Sequence, residues 1–234
     1  MITKASIDLS NFDFASGEVF LIDKEKGKTS FNVVHRLRKI LDIKKIGHAG
    51  TLDPAATGLL ILCVGKKTKE IYKYQELEKT YSGILELGKK TPSMDSETEV
   101  ISERDFSSVT EEMIEKVRVS FVGDIQQLPP MYSALKHNGK ALYKYARKGI
   151  EVERKPRTIS VYDFEILRID LPEIEFKIRC SKGTYIRAIA NDFGEKLGCG
   201  AYLKSLRRDA IGEYKVEDAL SIDELEKNRK TVEI

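Results

Sequence analysis

The sequence predicts an α+β fold in which strands and helices follow one another irregularly. Three observations predict it. An unbroken apolar run, Leu59 to Val64, has the length and character of a buried strand. Two segments alternate with period two: Tyr81, Gly83, Leu85 and Leu87 in one, Phe176, Ile178 and Cys180 in the other. Interspersed with these, apolar residues recur at helical spacing, as Phe31, Val34, Leu37 and Leu41 and again as Ile186, Ile189, Ala190, Phe193 and Leu197.

In chain order, Glu18 to Ile22 reads as a short strand and Lys24 to Lys28 as a turn. Thr29 or Ser30 caps the first helix, since a hydroxyl there can accept from a first-turn amide that has no helical partner. A polar helix is expected over Lys66 to Gln75. The strand after it puts Tyr81 on the same face as Leu85 and Leu87. An acidic loop around Asp95 leads to a helix near Thr110 to Phe121. The Leu128-Pro129-Pro130 turn opens a basic segment, and strand character resumes from Thr158 to Leu167. Glu175 to Cys180 alternates, and the amphipathic helix that follows stops at Gly198, a residue suited to a left-handed cap. Ser221 and Glu224 form a capping box for a last helix. There is no internal repeat and no low-complexity segment.

Between the first helix and the apolar run lies GHAGTLDPAATG, Gly47 to Gly58. It presents one carboxylate, Asp53, in a turn-rich loop with His48 nearby. Pro54 biases Asp53 away from helical geometry. Such a loop at a strand edge can offer a reactive group to a bulky substrate. It can equally be a tight turn in which Asp53 caps neighbouring amides.

Composition bounds the rest. With 41% hydrophobic and 33% charged residues the 234-residue chain is globular rather than disordered. No apolar run reaches a membrane span and the N-terminus lacks a secretory pattern, so the cytoplasm is the expected compartment. Cys63, Cys180 and Cys199 are odd in number and scattered, which suggests neither a disulfide framework nor a zinc site. The net charge of +3 does not diagnose a polyanion partner, but its distribution is informative. Lys136 to Arg157 holds eight Lys or Arg against Glu151 and Glu153, whereas Asp95 to Glu115 holds eight acids against Arg104. The basic stretch is either a solvated face or a contact for nucleic acid.

Several stretches together resemble the TruB family of tRNA pseudouridine synthases. The pattern G-H-x-G-x-L-D-P-x-A-T-G is similar to that family's catalytic motif. Lys79-Thr80-Tyr81, the stretch QLPPMYSALKHNGKALYKYARKGIEV from Gln127 to Val152, CSKGTYIR from Cys180 to Arg187, and Leu206-Arg207-Arg208 follow in the same order. The similarity covers Gly17 to Gly212. It implies a bent, mainly antiparallel sheet with flanking helices and a central active-site cleft, with an RNA-gripping insertion at about 124–153. Only Asp209 to Ile234 follow the last motif, fewer than the roughly 50 residues a further domain needs. A single catalytic domain over 1–234, without the family's C-terminal RNA-binding PUA domain, is therefore expected.

The resemblance implies isomerisation of the T-loop uridine of tRNA, with no cofactor and no metal. Asp53 would be the nucleophile, which must stay ionised when water is excluded. Burial alone would raise its pKa, so a cation is needed beside it. Arg187 takes that role by resemblance, and a planar, permanently charged guanidinium suits a carboxylate. Tyr81 would stack on the target base and is a candidate to remove its C5 proton. Tyr185 and Leu206 match residues lining the same pocket, or are core. His48 would fill the space that the flipped nucleotide leaves, offsetting part of the few kcal/mol that unstacking costs. Lys24 is a further RNA-binding candidate by resemblance: it matches a Lys-Pro pair in the family, although here Glu25 stands in place of the proline. Lys136, Lys140, Lys144, Arg147 and Lys148 would contact phosphates without reading sequence. The implied partner is the tRNA T-arm; no membrane and no obligate protein partner is expected, and the chain would act as a monomer.

Two other functions fit parts of the pattern. A non-catalytic RNA-binding module would need none of Asp53, Tyr81 and Arg187. A carboxylate-dependent glycosidase would need a second acid. None adjoins Asp53 in sequence, though Asp95 could approach in space. Whether attack falls on uracil C6 or ribose C1′ stays open.

Overall fold

The computed structural model describes residues 1–5, 13, 14 and 16–232, with side chains to residue 227. The chain forms β1 (Val19–Lys24) and then α1 (Ser30–Leu41). β2 (Ile46–His48) and β3 (Thr57–Val64) flank the glycine-rich loop. Where composition predicts one polar helix, a 3-10 turn (Gly65–Glu70) leads into α2 (Ile71–Glu76). Then come β4 (Lys79–Leu87), the short strands β5 (Lys89–Lys90) and β6 (Ser102–Glu103), α3 (Glu111–Val119) and β7 (Gly123–Gln127). The basic segment contains a small hairpin, β8 (Lys136–His137) and β9 (Lys140–Ala141), followed by α4 (Leu142–Ala146). β10 (Arg157–Asp170), β11 (Glu173–Cys180) and α5 (Ile186–Leu197) precede β12 (Ala201–Ile211), β13 (Tyr214–Lys215) and α6 (Ile222–Val232).

The chain divides into two compact units, Met1–Tyr81 with Leu206–Ile234, and Ser82–Ser205. In the first, β3 pairs antiparallel with β1 and β2, and parallel with the end of β12. Both faces of β1 and β3 are covered, which is why the Leu59–Val64 run is unbroken. On one face Phe20, Ile22, Leu60, Leu62 and Val64 pack with Val33, Val34 and Leu37 of α1 and Leu225 of α6. On the other, Val19, Leu21, Leu59, Ile61 and Cys63 pack with Ile211 and Val216. Each such buried aliphatic side chain contributes about 1.5–3 kcal/mol.

α1 starts at the expected place. Thr29 Oγ1 accepts from the Asn32 amide at 3.0 Å, and the Thr29 amide donates back to Asn32 Oδ1 at 2.9 Å. Its buried stripe is Val33, Val34, Leu37 and Ile40, not the one containing Phe31. Phe31 is 61% exposed, its ring covered by the Arg38 guanidinium at 5.7 Å. Two apolar stripes overlap on this helix, and docking on the sheet selects between them.

In the second unit the strand order is β12, β4, β11, β10, β7, with β10 antiparallel to both β11 and β7. Phe121, Phe164, Phe176 and Phe193 join α3 and α5 to the sheet through ring contacts of 5.9 to 6.3 Å. α5 ends at Gly198 in the left-handed conformation, as its sequence predicts. The capping box of α6 also forms: the Ser221 amide donates to Glu224 at 2.7 Å and the Glu224 amide to Ser221 Oγ at 3.1 Å.

Two strands are not legible in the sequence. β7, GDIQQ, is a largely exposed strand with a single aliphatic residue. It places residues 124–127 of the expected insertion in the sheet. β12 carries Lys204, Arg207, Arg208 and Asp209, which read as surface until their partners are seen.

Candidate active site

The Asp53 loop is held by its main chain on both sides of the acid. Before it, Ser30 at the start of α1 bonds both ends of Leu52: the Leu52 amide donates to Ser30 Oγ at 2.9 Å, and that hydroxyl lies 3.1 Å from the Leu52 carbonyl. After it, the Pro54 carbonyl accepts from the Gly27 amide at 2.8 Å and from Lys24 Nζ at 3.4 Å. The turn itself is closed by the Ala56 amide donating to the Asp53 carbonyl at 3.1 Å. The carboxylate is thus carried on a short pinned turn, while its side chain is only part-buried. Preorganisation of this kind keeps a reacting group in place without an ordering cost at each turnover.

Lys24 explains itself in the same terms. It is 1% exposed, and its ammonium donates to the carbonyls of Glu25 at 2.9 Å, Lys28 at 2.7 Å and Pro54 at 3.4 Å. It ties the 25–28 turn to the Asp53 loop, and these contacts turn its charge inward to the backbone.

Arg208 lies beneath the loop, and beyond its place in the Leu206-Arg207-Arg208 stretch nothing in the sequence signals it. It is 1% exposed. Its Nε donates to the Leu59 carbonyl at 2.7 Å and an Nη to the Gly50 carbonyl at 3.3 Å. Gly58, at φ +105°, makes room for this strand pair: a Cβ there would fall 2.3 Å from the Arg208 carbonyl oxygen and 2.6 Å from its amide nitrogen. Arg207 turns the other way and grips Asp23 with two nitrogens, at 3.2 and 2.7 Å. His48, on β2, is part-buried; burial lowers its pKa, the charge of Arg208 adds to this, and a main-chain hydrogen bond at Gly50 offsets part of it. The imidazole is therefore held neutral.

In the second unit Arg187 is 5% exposed on the first turn of α5. It donates to the carbonyls of Ser93 at 2.9 Å and Tyr132 at 2.8 Å, and its Nε lies 3.4 Å from Asp95 Oδ2. Asp95 is itself organised, accepting at Oδ1 from Ser93 Oγ at 2.5 Å and from the Glu97 amide at 3.0 Å. Asp95 thus serves as a partner of Arg187, a role the sequence did not disclose because the two lie far apart in the chain. Tyr185 caps the same helix. Gln127, 1% exposed, clamps its main chain, donating to the Tyr185 carbonyl at 3.0 Å and accepting from its amide at 2.8 Å. The Arg157 guanidinium covers the Tyr185 ring at 4.9 Å.

Tyr81 is buried on β4, in the alternating pattern its sequence predicts, and Leu206 is part-buried on β12. Asp53, His48, Lys24, Tyr81 and Leu206 belong to the first unit; Arg187 and Tyr185 belong to the second. Of the basic segment, Lys136, Lys144, Arg147 and Lys148 are exposed and Lys140 is part-exposed. Lys140 covers the Tyr145 ring at 4.9 Å and Arg147 the Tyr143 ring at 5.4 Å. Among the described residues no group of three His, Cys, Asp or Glu side chains is arranged to hold a metal ion, and no helix is long and apolar enough to cross a membrane.

Comparison with known proteins places the chain among similar sequences. Residues 38–186 match the TruB family pseudouridylate synthase (N terminal domain) and residues 187–233 the tRNA pseudouridylate synthase B C-terminal domain. A protein of Opitutus terrae named tRNA pseudouridine synthase B is 52% identical over 208 residues, 89% of this chain and 86% of that one. A protein of the same name from Chloroherpeton thalassium is 48% identical over 233 residues, 97% of each. Among solved structures, a chain in the crystal structure of the archaeal box H/ACA sRNP Nop10-Cbf5 complex is 27% identical with a TM-score of 0.70. That match covers 94% of this chain but only 56% of the other.

Proposed function

Because this chain belongs to the TruB family of pseudouridylate synthases, we propose that it is a tRNA pseudouridine synthase that isomerises the T-loop uridine at position 55. The reaction breaks the bond from ribose C1′ to uracil N1, turns the base, and joins C1′ to C5. The C5 proton leaves and N1 is protonated, so no atom is gained or lost overall.

The observation that carries the reading is the pinned turn around Asp53, held at Leu52 by Ser30 and at Pro54 by Lys24 and Gly27. In this reading Asp53 is the nucleophile and Tyr81 stacks on the flipped base. Arg187 is the cation that favours the ionised acid, and Asp95 orients Arg187. Tyr185 and Leu206 line the base pocket. His48, kept neutral, enters the gap in the RNA, since a neutral ring stacks there without bringing a charge to be desolvated. Lys136, Lys140, Lys144, Arg147 and Lys148 hold the T-arm backbone. The enzyme acts in the cytoplasm as a monomer.

The test is tritium release from C5-labelled uridine in an unmodified tRNA transcript, run with native protein and Asp53→Asn. Release by native protein alone, lost when the T-loop uridine is replaced, is the expected result. Tight tRNA binding without release would assign the chain to RNA binding alone, and release of free uracil would make it a hydrolase.

A further inference from the structure

β7 is largely exposed, yet its last residue is not. Gln127 is 1% exposed. Burying a primary amide is unfavourable unless its polar groups are paired, and an aliphatic side chain would fill the same space without that penalty. Gln127 directs both ends of its amide at one residue. Its Nε2 donates to the Tyr185 carbonyl at 3.0 Å, and its Oε1 accepts from the Tyr185 amide at 2.8 Å.

Tyr185 is the N-cap of α5, and its side chain makes no capping hydrogen bond. Its carbonyl also accepts from the amides of Ala188 at 3.1 Å and Ile189 at 3.2 Å. The two peptide units flanking Tyr185 therefore set the direction in which the first turn leaves the loop. Arg187 lies on that turn. Its guanidinium is held by the carbonyls of Ser93 and Tyr132 and by Asp95, while Gln127 fixes the main chain from which the side chain springs. Directly opposite Gln127 in the sheet stands Arg157 of β10. It donates to the Gly183 carbonyl and covers the Tyr185 ring at 4.9 Å. One cross-strand pair thus holds Tyr185 by its main chain and by its ring. Gln126, the preceding residue, is exposed and donates to Thr158 Oγ1 at 2.9 Å, away from α5.

We propose that Gln127 is a positioning residue for pseudouridine formation: by clamping Tyr185 it fixes the first turn of α5 and so the place of the Arg187 guanidinium. The inference rests on the reading that Arg187 is the cation of the reaction. Without the clamp the turn is free to shift, and a displacement of about 1 Å in a catalytic group costs on the order of 10²-fold in rate. A buried side chain makes no contact with tRNA, so affinity is spared. The effect falls on the chemical step.

The experiment measures single-turnover tritium release and tRNA affinity for the native full chain, Gln127→Leu, Gln127→Met and, as a control of like chemistry, Gln126→Leu. Gln127→Met keeps the length of the side chain and removes both hydrogen bonds. Both Gln127 variants should lose on the order of 10²-fold in rate, with dissociation constants within about twofold of native. Gln126→Leu should behave as native. In an Arg187→Lys background, Gln127→Met should cost no more than about threefold further, because residues that act as a unit are not additive. A native rate in both Gln127 variants, an equal loss in Gln126→Leu, or a further loss on the order of 10²-fold beside Arg187→Lys would overturn the proposal. Unfolding of both variants at the assay temperature, read by circular dichroism, would make Gln127 a support of the whole fold and overturn it equally. A native protein that releases no tritium would instead overturn the functional reading on which this one rests.

Discussion

Gly58→Ala separates backbone strain from steric exclusion at the foot of the Asp53 loop. The residue sits at φ +105°, and an added Cβ would lie 2.3, 2.6 and 2.9 Å from the carbonyl oxygen, amide nitrogen and carbonyl carbon of Arg208. Backbone atoms cannot rotate away as a side chain can. Either β12 moves off β3, losing the Arg207–Thr57 and Arg208–Gly58 register, or the loop distorts. A strained residue costs about 1–3 kcal/mol, and overpacking about 1–3 kcal/mol more. A total on the order of 4 kcal/mol corresponds to a Tm lowered by roughly 8–16 °C for a chain of this size. The internal control is Gly27→Ala, at φ +80° with no atom within 4 Å of the added carbon. It should cost only about 1–2 kcal/mol, the price of the left-handed backbone. Thermal unfolding by circular dichroism reads both. Equal shifts in the two variants would refute the close approach of Arg208 and with it this account of the loop.

Asp95→Asn should lower kcat by on the order of 10²-fold, since a misplaced orienting group costs about that much, with tRNA affinity retained; single-turnover kinetics beside a binding isotherm would show it, and an unchanged kcat would remove Asp95 from the site. The lowered pKa of His48 makes stability pH-dependent with a definite sign. The unfolded chain takes up the proton near the ordinary value of 6.5 while the folded protein resists, so stability is complete above that pH and is lost as pH falls through the folded pKa. Native protein should therefore lose more Tm on the acid side than His48→Asn, and parallel Tm profiles would contradict this. All three cysteines are buried, and burial pushes the Cys63 thiol up to about 11. Iodoacetamide at mildly alkaline pH should modify none of them before unfolding and all of them after, as mass spectrometry would reveal; labelling of native Cys63 would count against its environment.

Much of the fold was legible because its signals are local. The capping pairs Thr29–Asn32 and Ser221–Glu224, the stop at Gly198 and the alternation through Tyr81 and Phe176 each act within a few residues. The Asp53 loop was legible too, through an ordered set of motifs rather than through any single one. β7 is not legible because it offers one aliphatic residue, and β12 because its charges hide a buried strand end.

The sequence by itself determined the helices and strands whose apolar period and caps are local, among them α1, β3, β4, β11 and α5, and it singled out Asp53 as the candidate acid. Tertiary structure alone decided what the polar groups do. It turned Lys24 inward to three carbonyls, set Arg208 under Gly50 and Leu59, exposed Phe31, and joined Arg187 to Asp95. The reason is physical. Hydrophobic period and capping are properties of neighbouring residues, whereas the partner of a buried charge is chosen by strand register and packing between residues far apart in the chain, and a lysine or arginine reads the same in sequence whether its charge meets water or a carbonyl.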